Sequence, residues 1–355
     1  MFRLRIIIFS FVLLVPFAGN TLAQSGRTKP TPTPTPTRIT GPSVFSTPSP
    51  TPAPTPRPRV VVTPTPNEEV ERVESTLVPI PVSVLDANGR SVSNLKDTDF
   101  ELRIDGKVVE IGEVFRSESP IRLAMLFDNS SSVATARDFE REAAVRFFKR
   151  VIRPDIDTAA LFSVADSTRL EQPLTRDVGM LTRAIMAFPP PAGATALFDG
   201  ILEAADYLRS STGRRVVVIV SDGEDTYSRN ESTLSEVIKQ LQIHNCLVYV
   251  VRTKDFEYFK LTGNRTGNAN IRALDAERRM LEITAQTGGA VYSPIDEREM
   301  NAAFDSISAA LSQQYVLAYY PDDDKGKSGQ VREIAVTIKG KPSLTIRSRK
   351  GYVVR

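Results

Sequence analysis

The stretch from Ile121 to Val133, IRLAMLFDNSSSV, constrains the fold of this chain more than any other. Six of its first seven residues are apolar, and a polar run begins at Asp128. A short apolar run followed by small polar residues and then a helical pattern predicts a buried parallel strand that ends in a loop. Because open α/β sheets bind ligands at the carboxyl ends of their strands, Asp128, Ser130 and Ser132 are candidate binding residues.

The spacing D-x-S-x-S in this stretch has a chemical use. It offers one carboxylate and two hydroxyl groups, which are oxygen ligands of the kind that Mg²⁺ prefers. The same residue types also suit the start of a helix, where Ser, Asp and Asn side chains accept hydrogen bonds from the first backbone N–H groups. The pentapeptide alone leaves both interpretations open.

Two further segments follow in the order and at the distance that a site built from three loops needs. Gly193 and Thr195 stand just before a predicted helix, and the apolar segment 215–222, RVVVIVSD, is followed by Gly223, which completes the sequence S-D-G. Together with D-x-S-x-S, these segments resemble the von Willebrand factor type A domain, whose metal-ion-dependent adhesion site comes from the same three loops. The resemblance implies that the metal is bound by Asp128, Ser130, Ser132, Thr195 and Asp222.

The resemblance also implies how such a site works. In that family the metal lies at the top of the sheet with one open coordination position, which a carboxylate of a partner fills. We therefore expect Mg²⁺, Mn²⁺ or Ca²⁺ as the cofactor, and a protein that offers an Asp or Glu carboxylate as the partner. Asp222 is the acid expected to act through a water molecule. The family has Thr where this chain has Ser221, at a position not expected to bind metal.

Composition excludes several other classes of protein. The 45 Lys and Arg residues against 42 Asp and Glu give a formal net charge of +3, so nucleic acid is not expected as a partner. The chain has one cysteine and one histidine, which excludes an intramolecular disulfide and a zinc site built from Cys and His clusters. We expect Cys246 to be buried in a strand. A Ser-His-Asp hydrolase would need His244, and no G-x-S-x-G motif accompanies it.

The first 66 residues are predicted to lie outside the folded part. Residues 1–23 have a basic start, an apolar core and the small-residue sequence T-L-A before Gln24, which is typical of a signal peptide. This predicts a secreted or periplasmic protein with no membrane span after signal removal; an uncleaved N-terminal anchor is the alternative. Residues 24–66 are rich in Pro and Thr, which predicts a disordered linker.

The remaining chain divides into three predicted parts. Residues 121–313 alternate predicted strands and helices, which indicates an α/β fold: a Rossmann-like parallel sheet flanked by helices. Residues 67–120 and 314–355 are predicted to be β-rich. The simplest arrangement joins these two segments into one small flanking β-sandwich, with the α/β domain inserted into it. Pro79 and Pro81 are expected to confine their strand to a sheet edge.

The outer segments carry a second, weaker resemblance. In the bacterial secreted VWFA-related family, a type A domain is followed by a strand with the pattern QYxLxYxP and a closing R-x-G-Y. This chain has the matching residues Gln314, Tyr315, Leu317, Tyr319, Pro321, Arg349, Gly351 and Tyr352.

Segment 254–270, KDFEYFKLTGNRTGNAN, is predicted to be a long loop on the same face as the metal. We expect it either to shape the partner surface or to be a plain surface loop. Of the other acids near the motif, Asp199 is expected to be either a residue that supports a metal ligand or a solvated acid in the first turn of its helix. Glu224 and Asp225 are expected to be solvated loop charges or to extend the acidic rim of the site.

The predicted function is that of a divalent-metal-dependent protein-binding module, for adhesion or as a scaffold, at the cell envelope or outside the cell, and not that of an enzyme. One alternative is a metal-assisted hydrolase, for which Glu224 is the only candidate general base. The other is a structural envelope protein with a vestigial metal site. Phosphoryl transfer is disfavoured because position 130 is Ser and the chain has no Gly-rich loop with Lys.

Overall fold

The computed structural model describes residues 77–354 except 88, 135–136, 266–269 and 322–326. The described residues belong to the second of two compact units, Val70–Arg355. The predicted signal peptide and linker, residues 1–66, lie outside them. No helix among the described residues is long and apolar enough to cross a membrane.

The described strands are β1 (Val78–Leu85), β2 (Phe100–Ile104), β3 (Lys107–Val109), β4 (Glu113–Arg116), β5 (Ile121–Asp128), β6 (Thr158–Val164), β7 (Thr168–Thr175), β8 (Arg214–Ser221), β9 (Cys246–Arg252), β10 (Ala290–Tyr292), β11 (Tyr315–Tyr319), β12 (Val331–Ile338), β13 (Thr345–Ser348) and β14 (Gly351–Val353). The described helices are α1 (Arg137–Val151), α2 (Val178–Met186), α3 (Leu197–Leu208), α4 (Leu234–Ile243), α5 (Lys254–Thr262), α6 (Ile271–Thr287) and α7 (Glu297–Ser312).

A six-stranded sheet in the order β10-β9-β8-β5-β6-β7 forms the α/β part. Successive side chains of a strand point to opposite faces. In β5, Leu123, Met125 and Phe127 pack into one core with α1, α2 and α7. Ala124 and Leu126 pack into a second core with α3, α4 and α6. Both faces of the strand are covered, which explains why its sequence is a continuous apolar run rather than an alternating one.

The predicted parallel sheet flanked by helices is confirmed, with one addition. The five strands from β10 to β6 are parallel, whereas β7 pairs antiparallel with β6 at one edge of the sheet. This edge strand was not predicted from the sequence. Chain order reverses at β5, because β6 lies on one side of it and β8 on the other. Such a switch point opens a crevice at the carboxyl ends of the two strands.

Two four-stranded antiparallel sheets, in the orders β13-β1-β11-β4 and β14-β12-β2-β3, form the predicted β-sandwich. Strands from both ends of the chain pair within each sheet: β1 with β11, and β2 with β12. One core joins the two sheets, and the rings of Phe100 and Tyr315 meet edge to face across it at 5.3 Å. The prediction that both terminal segments build one flanking sandwich is confirmed.

The expectation that Pro79 and Pro81 confine β1 to a sheet edge is wrong. β1 lies between β11 and β13. However, β13 pairs only with residues 82–85 of β1, beyond both prolines, and β11 pairs with residues 78–82. The proline-containing half therefore has one strand partner, and the missing N–H groups break no second ladder.

Candidate metal centre

Asp128, Ser130, Thr195 and Asp222 are each between 1% and 3% exposed, and they come from the three loops that the sequence singled out. Asp128 is the last residue of β5, and Asp222 directly follows β8. The two strands are neighbours, with Phe127 opposite Val220. This register brings the two carboxylates to adjacent strand ends at the switch point of the sheet.

Asp128 is held by its own loop and by the neighbouring strand. Its Oδ1 accepts a hydrogen bond from the Ser130 backbone N–H at 2.9 Å, and its Oδ2 accepts one from Ser221 Oγ at 2.6 Å. Ser221 therefore orients a predicted ligand without being one. Burial, and then the Asp222 carboxylate, raise the pKa of the Asp128 carboxyl to about 6, although the hydrogen bonds from Ser221 and Ser130 oppose the rise.

The predicted hydroxyl ligands in the first loop lie together. Ser130 Oγ and Ser132 Oγ are 3.0 Å apart and share a hydrogen bond. Ser132 lies in a 3₁₀ turn, Ser131–Val133. Ser130 precedes this turn, but its side chain caps no backbone N–H. The helix-cap interpretation of D-x-S-x-S therefore does not describe Ser130, whose hydroxyl faces Ser132 instead.

Backbone contacts connect the three loops. The Ser131 hydroxyl and backbone N–H both donate to the Gly193 carbonyl, at 3.0 and 3.2 Å. Thr195 N–H donates to Thr226 Oγ1 at 3.0 Å, and Thr226 N–H donates to the Thr195 carbonyl at 2.9 Å. The loop of Thr195 is thus joined to the loops that carry Ser132 and Asp222. Among the described residues, the Thr195 hydroxyl makes no hydrogen bond to the other four predicted ligands.

Asp222 is in contact with a basic side chain. Its Oδ1 accepts a hydrogen bond from Glu224 N–H at 3.0 Å, and its Oδ2 lies 3.5 Å from the ammonium group of Lys254. The same ammonium lies 3.1 Å from Glu224 Oε1. Glu224 is therefore not a fully solvated loop charge. It is also not the free general base that the hydrolase alternative would require.

The residues present fit a small divalent cation. The predicted donors are two carboxylates and three hydroxyl groups, an oxygen-only set that suits Mg²⁺, Mn²⁺ or Ca²⁺. A positive charge already lies at Asp222, in the form of the Lys254 ammonium. No group of three or more His, Cys, Asp or Glu side chains in the described part of the chain could hold a metal, so a site here depends on its hydroxyl ligands.

Sequence reasoning missed two buried carboxyl groups, Glu140 on α1 and Glu257 on α5, here called the buried acid pair. They are 1% and 6% exposed. Thr253 Oγ1 donates to Glu257 Oε1 at 2.8 Å. Burial, with smaller effects from the Asp222 and Asp128 carboxylates, raises the pKa of Glu257 to about 8 against the Thr253 hydrogen bond and the charge of Lys254. Burial, and then the charge of Glu257, raise the pKa of Glu140 well above its ordinary value.

The prediction that residues 254–270 form a loop is wrong for the first part of that segment. Lys254 to Thr262 form helix α5, and residues 266–269 lie outside the described residues. The helix is stabilised by tertiary packing: Phe256 is fully buried, and its ring stacks on Phe139 at 5.5 Å. The segment does lie on the expected face, because α5 follows β9 at the carboxyl edge of the sheet. There it brings Lys254 to the site.

The remaining residues near the motif have structural contacts. Asp199 is not solvated, because it accepts hydrogen bonds from Ser232 Oγ and from Arg229. Asp225 accepts one from the Phe198 N–H in the first turn of α3. Cys246 is buried in β9, as predicted, and burial raises the pKa of its thiol to about 12.

Comparison with known proteins agrees with the geometry. Residues 123–224 match the family described as "von Willebrand factor type A domain". This range begins in β5 and ends just beyond Asp222, so it contains all five predicted ligands. This segment of the chain is therefore identified as a von Willebrand factor type A domain. No curated protein matches the chain.

Several solved structures resemble the chain, all at low identity. A von Willebrand factor type A protein from Catenulispora acidiphila is 11% identical, with a TM-score of 0.45 over 79% of this chain and 75% of that one. A mutant of the PilB minor pilin from Streptococcus sanguinis is 13% identical, with a TM-score of 0.42 over 56% of this chain and 62% of that one, less than two thirds of the pilin. The vWF domain of the type V pili tip protein Mfa5 from Porphyromonas gingivalis is 14% identical, with a TM-score of 0.40 over 54% of this chain and 94% of that one. Similarities at this level assign no partner and no activity to this chain.

Proposed function

We propose that this protein is a divalent-cation-dependent protein-binding module, for adhesion or as a scaffold, and not an enzyme. In this proposal Asp128, Ser130, Ser132, Thr195 and Asp222 bind Mg²⁺, Mn²⁺ or Ca²⁺. When bound, the ion supplies an electrophilic position for an Asp or Glu carboxylate of the partner protein. The location at the cell envelope or outside the cell rests on the sequence of residues 1–23 alone.

One observation carries the proposal: two almost fully buried carboxylates, Asp128 and Asp222, lie at neighbouring strand ends. Burying a carboxylate is costly unless a cation or hydrogen bonds compensate it. Ser221 and the backbone N–H of Ser130 hold Asp128, and Glu224 N–H with Lys254 holds Asp222. Among the described residues, Lys254 is the one basic side chain in contact with either carboxylate, so part of the buried negative charge is left for a small cation.

The neutral hydroxyl groups determine how much positive charge a bound ion would keep. Three of the five proposed ligands are neutral, so an ion held here keeps more of its charge than one held by a cage of acids. Such a site gains from one additional anionic ligand. A metal-assisted hydrolase would also need a general base beside the ion. The candidate, Glu224, is paired with Lys254 at 3.1 Å, which favours the binding function over the hydrolase.

The first test is a calorimetric titration of the full chain with Mn²⁺. We expect one equivalent to bind to the wild type, and Asp128→Asn, which keeps the shape of the side chain, to abolish binding. Asp138→Asn is the matched control, because the Asp138 side chain on α1 is 96% exposed. Equal Mn²⁺ binding by the wild type and Asp128→Asn would contradict the proposed ligands.

The second test concerns the partner carboxylate. Two peptide libraries that are identical except for a central Glu or Gln are passed over the immobilised full chain, in Mn²⁺ or in a chelator. We expect retention of the Glu library in Mn²⁺ only. Retention of both libraries alike, or retention in the chelator, would contradict carboxylate recognition through a cation.

A further inference from the structure

The ammonium group of Lys254 occupies the position beside Asp222 that a divalent cation bound to this carboxylate would need. Its ammonium group is 3.5 Å from Asp222 Oδ2 and 3.1 Å from Glu224 Oε1. Asp222 is buried and its other oxygen is occupied by Glu224 N–H. The oxygen of Asp222 that remains for a metal is therefore the one that the ammonium group contacts.

The backbone fixes this position. Thr253 N–H donates to the Ser221 carbonyl at 3.0 Å, so the residue before Lys254 is bonded to the residue before Asp222. β8 and β9 are paired in register up to Ser221 and Arg252. Lys254 is the first residue of α5, and its side chain is only 21% exposed. The contact with Asp222 is therefore set by strand pairing and not by a freely moving surface side chain.

We propose that Lys254 sets the cation affinity of this site: its ammonium group neutralises Asp222 and Glu224 until a divalent ion takes its place. This inference rests on the proposed metal site and assigns to it a residue outside the predicted ligands. The bound lysine keeps the site paired in the absence of metal. It also weakens metal binding, because the ion must approach a like charge or displace it.

The size of the effect follows from the distances. For direct coordination by Asp222, in place of the water-mediated contact expected from the sequence, an ion about 2.1 Å from Asp222 Oδ2 lies at most about 5.6 Å from an ammonium group that stays in place. At that separation the repulsion between a single and a double positive charge, even in a solvent-like dielectric, weakens binding by about tenfold. A lysine that swings away escapes the repulsion but gives up its pairing with both carboxylates.

The test compares Mn²⁺ binding by the full chain and four variants. Lys254→Met and Lys254→Gln remove the charge, and both should bind Mn²⁺ about tenfold more tightly than the wild type. Lys254→Arg keeps the charge and should stay close to the wild type. Lys260→Met is the matched control on the same helix, since Lys260 pairs with Glu297 at 2.7 Å and not with Asp222, and its affinity should not change.

A thermal melt separates this role from a merely structural one. Without metal, both neutral variants should melt below the wild type, because Asp222 loses its cation. At saturating Mn²⁺ the difference should disappear, because the ion replaces the lysine and stabilises the folded state by mass action. A melting deficit that persists in saturating Mn²⁺ would identify Lys254 as a structural residue only.

The outcomes distinguish the two proposals. If the wild type binds Mn²⁺ and the two neutral variants bind it no more tightly, the role of Lys254 is refuted and the metal site stands. If neither the wild type nor any Lys254 variant binds Mn²⁺, the proposed function itself is refuted.

Discussion

The protonation of Glu257 gives the sharpest prediction. Its carboxyl is 6% exposed and accepts a hydrogen bond from Thr253 Oγ1 at 2.8 Å. Burial raises its pKa from the ordinary 4.5 to about 8. The group is therefore mostly neutral at pH 7 in the folded chain. Glu257→Gln keeps the shape, the neutral state and the oxygen that accepts from Thr253, and removes only the ability to ionise.

The sign of the pH dependence follows from the raised pKa. The folded chain holds a proton that the unfolded chain has released, so the stabilisation is complete below pH 4.5 and is lost as pH rises through about 8. Between pH 6 and pH 9 the loss for this one group is about 2.7 kcal/mol of unfolding free energy.

The assay is urea unfolding of the full chain, followed by circular dichroism between pH 6 and pH 9 in the presence of a chelator. The wild type should lose stability across this range, and Glu257→Gln should lose about 2–3 kcal/mol less. Glu142→Gln is the control, since its side chain on α1 is 62% exposed, and it should follow the wild type. Parallel pH profiles for the wild type and Glu257→Gln would refute the idea that this buried carboxyl is protonated at neutral pH.

Two further substitutions test the packing that supports the site. Gly289→Ala should unfold the chain or cost more than about 3 kcal/mol, because a Cβ there would lie 1.6 Å from the Val248 carbonyl oxygen; an unchanged melting temperature would contradict this. Asp157→Asn should destabilise by about 2 kcal/mol at pH 7 in a urea melt, because the buried carboxylate accepts from Ile121 N–H at 2.7 Å and from the Arg153 guanidinium. Burial opposes ionisation of Asp157, but the hydrogen bonds prevail and lower its pKa below the ordinary value of 3.8. The carboxylate therefore stabilises the folded chain at pH values above 3.8, and this stabilisation is lost on acidification. The variant should lack this acid dependence.

The parts of the fold that the sequence predicted well are those decided by local pattern. β5 was predicted because burial on both faces requires an almost continuous apolar run, which here ends at Phe127. α6 ends at Thr287 and is followed by Gly288, whose left-handed φ of 89° is common at helix ends and is readily adopted by glycine. The three loops of the site were identified because each follows directly from a strand or precedes a helix that has such a pattern.

The parts that were missed depend on tertiary contacts. β7 contains a proline and no clean alternation, and it forms because β6 offers it an edge to pair with. α5 mixes aromatic and charged residues, and the burial of Phe256 stabilises it. Local pattern could not show which charged side chain of this segment turns towards Asp222. The domain boundaries and the five ligands stay predictions, although the loops that carry the ligands lie together.

The charges around the site explain why these missed residues matter. When ionised, Asp128, Asp222 and Glu224 carry three negative charges, and Lys254 offsets one of them. The remaining two match the charge of a divalent ion, but only while the buried acid pair stays protonated. Ionisation of that pair would double the uncompensated negative charge in a region almost without solvent, which burial strongly disfavours. If the proposed site binds a cation, Lys254 and the acid pair act on its affinity in opposite ways. The lysine charge weakens the attraction for the cation, and deprotonation of the pair would strengthen it. In this proposal the predicted ligands define where a cation would bind, and the charges of these neighbouring groups would set how tightly it binds and at which pH.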